Sequence, residues 1–207
     1  MKIVFFGDSI TDAGRNRELD GDNSSLGRGY VVHAASRLLE REPDGYEIIN
    51  RGISGDRVVD LYARIKRDVW NLHPDLLSIY IGVNDVWHEI DLKNGVEQER
   101  FERIYKTMLD ETIERLPDTK IMLVAPFVQR GRATEEKFGE FEEVYEYAAI
   151  VKRIAEEYRL PLVELQKPFD DAAEKYGIET LTHDGVHPTV RGAILLAGEW
   201  LKAFDNL

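Results

Sequence analysis

Gly7-Asp8-Ser9 follows directly on the apolar run Lys2-Ile3-Val4-Phe5-Phe6, which sets a serine hydroxyl where a strand gives way to a turn. A turn there lifts the hydroxyl above the end of a sheet, where a substrate can reach it. Near the other end of the chain, Asp184-Gly185-Val186-His187-Pro188 places a carboxylate and an imidazole three residues apart. A serine nucleophile needs both groups, an imidazole to take its proton and a carboxylate to fix the imidazole's tautomer. That spacing lets the carboxylate reach one ring nitrogen and leaves the other for the serine. Pro188 favours an extended His187 and suits the start of a following helix.

Two further segments end apolar runs: Asn50-Arg51-Gly52-Ile53-Ser54-Gly55-Asp56 and Gly82-Val83-Asn84-Asp85. Acyl transfer needs donors aimed at the oxygen that turns negative in the tetrahedral intermediate. The N–H groups of Ser9 and Gly55 and the amide of Asn84 are suitable donors. Taken singly these pieces are ordinary turn chemistry. Taken in order, after the first, second and third strands and before the last helix, they form one constellation.

The elements that must position them are legible as short apolar runs alternating with longer amphipathic segments, the pattern of βαβ units. Strands are expected at residues 2–6, 46–50, 76–81, 120–125 and 161–165, each rich in Ile, Val, Leu, Phe or Tyr rather than strictly alternating, as in a parallel sheet covered on both faces. Helical stripes run through Val58, Leu61, Tyr62, Ile65 and Val69, and through Phe101, Ile104, Tyr105, Met108, Leu109 and Leu116. A third runs from Phe141 through Val144, Tyr145, Ala148, Val151 and Ala155 to Tyr158, and a fourth from Val190 through Ala193, Ile194, Ala197 and Leu201 to Phe204. All four are expected to pack on the sheet. The long irregular stretches, Thr11 to Gly29 and Phe127 to Gly139, are expected to rim a site at the carboxyl ends of the strands.

Placed in this order, Ser9, Gly55, Asn84 and His187 resemble the four named residues of the SGNH hydrolases, also called the GDSL family. The resemblance spans the chain. It implies an ester hydrolase in which Ser9 is the nucleophile, His187 its base and Asp184 the group that orients His187. It also implies an oxyanion hole made by the Ser9 and Gly55 N–H groups and the Asn84 amide. Where the family name implies leucine after the serine, this chain has Ile10, which keeps an apolar side chain. Gly-Asp-Ser-Ile-Thr-Asp, Asn-x-Gly-Ile-Ser-Gly and Ile-Gly-Val-Asn-Asp-Val-Trp are similar to the acetylxylan esterase branch, which implies acetylated, xylan-derived or other saccharides as substrates. Trp87 would line an acyl or sugar pocket there. The expected architecture is a single flavodoxin-like three-layer α/β/α domain over residues 1–207, with a five-stranded parallel sheet in the order 2-1-3-4-5. The family likeness also allows a homo-oligomer.

Bulk properties narrow the remaining classes. A net charge of −12 repels phosphate backbones and anionic lipid surfaces, so neither nucleic acid nor membrane is an expected partner. No cysteine is available for disulfides, thiolate metal sites or a thiol nucleophile. Met1 opens directly on the first strand without a secretory leader pattern, from which a cytoplasmic protein is expected. His183 and His187 lack the helix and glutamate of a zinc-protease motif, and no phosphate-binding glycine motif occurs, so neither a metal nor another cofactor is expected. Asp8, Asp12 and Asp85 are read as turn-forming carboxylates. Two rival functions remain: a lysophospholipase or thioesterase on the same triad, and a catalytically silent carbohydrate-binding module.

Overall fold

The computed structural model describes residues 1–18 and 22–207. Strand β1 (Lys2–Gly7) lies between β2 (Glu47–Gly52) and β3 (Leu76–Tyr80), followed by β4 (Lys120–Val124) and β5 (Leu162–Val163). All pairings are parallel, and the order is β2-β1-β3-β4-β5. In this register Gly7 faces Gly52 on one side and Tyr80 on the other, so three chain segments leave the sheet side by side. Thr11 and the β3 carbonyl of Tyr80 crowd Gly7, where a Cβ would come within 2.4 Å of that carbonyl oxygen, and only glycine fits.

Helices α1 (Ser9–Asp12), α2 (Tyr30–Arg41), α3 (Val58–Asp68), α4 (Val83–Leu92), α5 (Gln98–Arg115), α6 (Phe138–Phe141), α7 (Val144–Tyr158), α8 (Gln166–Tyr176) and α9 (Val190–Phe204) cover the sheet. One layer joins α2 to α9 and α9 to α8; the other joins α3 to α5 and α5 to α7. Burial on both faces explains the unbroken apolar runs: Ile3, Val4, Phe5, Phe6 and the whole of β3 are buried. Buried Trp200 of α9 packs on Phe5 with ring centroids 4.8 Å apart and donates to the Ser78 hydroxyl of β3 at 2.9 Å. A ring of that size contributes several kcal/mol on burial, at roughly 25 cal/mol per Å² of apolar surface, and its N–H is satisfied. Helix α9 is thereby fastened to the central sheet, and the loop that precedes it has a firm support.

Several local expectations shift. The last strand is only two residues long. Short helical turns interrupt both irregular stretches, at α1, at α6 and in 3₁₀ turns at Asn23–Leu26 and Glu135–Lys137. The buried face of α9 is Ala193, Leu196, Ala197, Trp200 and Leu201, whereas Val190 and Ile194 are 66% and 54% exposed. Apolar residues occur on both faces of this helix, so periodicity alone did not select the inner one. On α7 the inner face includes Tyr147, Ile150 and Ile154, and Tyr145 points outward.

Candidate active site

Helix α1 begins at Ser9 because Asp8 caps it, accepting the Ile10 N–H at 2.9 Å. As the first residue of a helix, Ser9 has an N–H with no intrahelical partner, and its hydroxyl stands at the carboxyl end of β1. The Ser9 Oγ lies 2.9 Å from Nε2 of His187, and the His187 Nδ1 lies 2.7 Å from Oδ2 of Asp184. Residues at the two ends of the chain therefore meet in one hydrogen-bonded line.

The loop carrying Asp184 and His187 is held from several directions. The other carboxylate oxygen of Asp184 accepts the N–H groups of Val186 at 3.0 Å and His187 at 2.8 Å. Thr182 bridges to Pro188, and Thr189 caps α9 by accepting from the Gly192 N–H. Residues 127–139 touch the rim of this edge through Lys137, which pairs with Asp91 at 2.8 Å, and have a second role that was not expected. They buttress this loop from behind, the N–H groups of Gln129 and Ala133 donating to the carbonyls of Gly185 and Asp184 at 2.8 and 3.0 Å.

Electrostatics follow from this geometry. Burial alone would raise the Asp184 carboxyl, but the hydrogen bonds from the His187 ring and from two backbone N–H groups hold it down, at about 2. The same bond from Asp184 raises His187 above its ordinary value against the opposing effect of burial, helped by the charges of Asp184 and Asp8. An imidazole so placed is ready to accept a proton from Ser9 and to remain charged while it holds it.

Gly55 follows β2 in the left-handed region, at φ +88°, and its N–H donates to no protein group among the described residues. Asn84 sits in the first turn of α4, one amide hydrogen occupied by the Asp56 carbonyl at 3.0 Å and the second free. Ser9, Gly55, Asn84, Trp87 and His187 line one hollow of about 410 Å³. The Trp87 ring is half-buried beside His187, with centroids 5.9 Å apart, and is held by Phe141 and by its N–H bond to Asp91 at 2.8 Å.

Asp8, Asp12 and Asp85 hydrogen-bond backbone turns. Asp12 accepts from the N–H groups of Gly14, Arg15 and Ser54 and pairs with Arg17, tying the end of α1 to the loop after β2. Asp85 accepts the N–H of Val58 at 3.0 Å, and complete burial pushes its carboxyl well above the usual carboxylate range. Asn50 opens the Asn-x-Gly-Ile-Ser-Gly segment, and the sequence alone assigns it no role of its own: its amide donates to the carbonyls of Thr11 at 2.6 Å and Leu26 at 3.0 Å and so anchors α1. The available signal was an asparagine closing an apolar strand. Among the described residues no cluster of three or more His, Cys, Asp or Glu side chains is arranged to hold a metal ion, and no helix is long and apolar enough to cross a membrane.

The chain resembles known proteins over nearly its whole length. Residues 5–193 match the model of the GDSL-like lipase/acylhydrolase family. The chain is 37% identical over 205 residues to an acetylxylan esterase of Geobacillus stearothermophilus, covering 97% of this chain and 92% of that protein. A crystal structure of that enzyme superposes with a TM-score of 0.87 at 35% identity, covering 98% and 93% of the two chains. A GDSL-like lipase structure from Parabacteroides merdae gives a TM-score of 0.90 at 37% identity, covering 99% and 95%. Catalytic mutants of the Geobacillus enzyme replace a serine, an aspartate and a histidine, the last two three positions apart. This chain belongs to the GDSL-like lipase/acylhydrolase family of ester hydrolases.

Proposed function

We propose that the protein is a serine carboxylesterase that removes short acyl groups, acetyl above all, from carbohydrate esters. The hydrogen-bonded line from Ser9 through His187 to Asp184 carries this proposal. Ser9 Oγ attacks the ester carbonyl while His187 Nε2 takes its proton. The oxyanion is received by the N–H groups of Ser9 and Gly55 and the free amide hydrogen of Asn84. His187 then returns the proton to the alkoxide as the C–O bond breaks, the alcohol leaves, and an acetyl-Ser9 ester remains. Water, deprotonated by His187, attacks that ester, and acetate departs with the proton returned to Ser9. Asp184 holds the imidazole in the tautomer that makes this possible. These groups suffice for the reaction without a metal or organic cofactor.

The saccharide assignment is supported by the likeness to an acetylxylan esterase over nearly the whole chain. A short acyl group is supported by the hollow at Gly55 and Asn84, where the Trp87 ring stands 5.9 Å from that of His187 and narrows the space beside Ser9. On a series of p-nitrophenyl esters, kcat/KM is expected to fall from acetate and butyrate to dodecanoate. Equal or better turnover of the dodecanoyl ester would contradict a short-acyl enzyme and favour a lysophospholipase or thioesterase. Asn84→Ala is expected to lower kcat for the acetyl ester by roughly 10²- to 10³-fold with KM little changed, the usual cost of one oxyanion donor. A change confined to KM would remove Asn84 from that role.

A further inference from the structure

A second hollow opens on the other flank of Ser9, about 340 Å³ in volume and walled by Gly14, Arg28, Tyr30, His183 and Val190. Its size falls within the roughly 300–1,000 Å³ of small-molecule sites. Arg28 is exposed in it, and its guanidinium makes no hydrogen bond or ion pair to any described residue. The neighbouring arginines are otherwise engaged: Arg15 donates to the Gly52 carbonyl at 2.8 Å, Arg17 pairs with Asp12, Arg57 with Asp60, and Arg64 with Asp56.

Arg28 is nevertheless well placed. Its backbone N–H donates to the carbonyl of Ala13 at 3.1 Å, directly after the short helix that Ser9 begins. The guanidinium lies over Gly14, where a side chain would come within 3.7 Å of Cζ, and the positive φ of +72° favours glycine there. Opposite, His183 is fixed to the catalytic loop by its N–H bond to the His187 carbonyl at 2.8 Å.

We infer that Arg28, with His183 on the same hollow, forms a subsite for a carboxylate, and that the preferred substrate is the acetyl ester of an acidic sugar. The inference rests on the esterase proposed above and adds the class of alcohol. An acetyl group carries no charge, so an anion that reaches Arg28 must belong to the alcohol portion. One guanidinium fork matches the two oxygens of a carboxylate. In a chain of net charge −12, an acidic substrate is repelled at a distance, and an unpaired cation at the point of binding offsets that repulsion.

The test compares acetyl release from a mono-acetylated methyl galacturonoside and from the matching neutral galactoside, by the wild-type protein and by Arg28→Gln and Arg28→Lys. The wild type is expected to favour the acidic sugar by about tenfold in kcat/KM, mainly through KM, as befits one charge-assisted contact at an exposed site. Arg28→Gln is expected to erase that ratio, Arg28→Lys to keep part of it, and added salt to shrink it in the wild type alone. Equal use of the two sugars, preference for the neutral one, or an unchanged ratio in Arg28→Gln would overturn the subsite. Preference for p-nitrophenyl hemisuccinate over p-nitrophenyl acetate that Arg28→Gln removes would put the carboxylate on the acyl side and overturn the assignment to the alcohol. Failure to cleave any ester, p-nitrophenyl acetate included, would instead sink the esterase proposal itself, a different result from cleavage without preference.

Discussion

Ser9→Ala is expected to lower kcat on p-nitrophenyl acetate by about 10⁵- to 10⁶-fold, and His187→Ala by a similar factor. In the proposed mechanism the two residues act on one proton across 2.9 Å, so either loss stops the same step. The double variant should therefore be little worse than the worse single variant, a gross departure from additivity that independent contributions cannot produce. What activity remains would come from the oxyanion donors and substrate binding, which stay in place. Circular dichroism should be unchanged in both variants, because neither side chain is part of the buried core. Losses that multiply in the double variant would contradict a shared proton.

Asp184→Asn is expected to cost less, roughly 10⁴-fold in kcat, and to carry a pH signature that the other variants lack. His187 acts as a base only when neutral. Its bond to Asp184 raises it above its ordinary value of 6.5, so wild-type kcat/KM should rise with pH through a midpoint above that value. Asparagine offers no charge to stabilise the imidazolium, so the midpoint should move to lower pH while the plateau falls. Asp8 is buried, its carboxyl pushed up to about 7 by desolvation, and its charge also acts on His187. Because Asp8 is present in both proteins, the difference between the two profiles reports Asp184. A lower plateau with an unmoved midpoint would mean that the carboxylate only positions the loop.

The legible parts of this molecule were those written in local pattern. Apolar runs placed β1 to β4 within a residue or two, and their alternation with helices marked the sheet as parallel, while the strand order was expected with the family resemblance. Ser9, Gly55 and Asn84 stand where strands end, so a sequence that marks strand ends also marks the proposed site. The parts that escaped depend on contacts between distant segments. Residues 127–139 look like a rim loop and nothing more until Gln129 and Ala133 are seen bonded to the backbone at Gly185 and Asp184. Val190 and Ile194 fit an apolar stripe, yet Trp200, whose N–H seeks Ser78, turns α9 so that they face outward. Arg28 carries no local signal, since its position depends on the carbonyl of Ala13 and the empty space above Gly14.

Asp12 lies beside Ser9 and could be mistaken for a catalytic acid, but three backbone N–H groups and Arg17 occupy it. Asp184 differs because one of its oxygens serves the backbone and the other is given wholly to His187. In the proposed mechanism this division of labour between its two oxygens is what lets a loop residue orient a base.

Labelling by a fluorophosphonate, followed by peptide mass mapping, probes most directly whether the Ser9 hydroxyl is activated by His187. One adduct per chain is expected, on Ser9, absent in Ser9→Ala and formed far more slowly in His187→Ala. Modification of another residue, or full-rate labelling of Ser9 without the imidazole, would contradict the account.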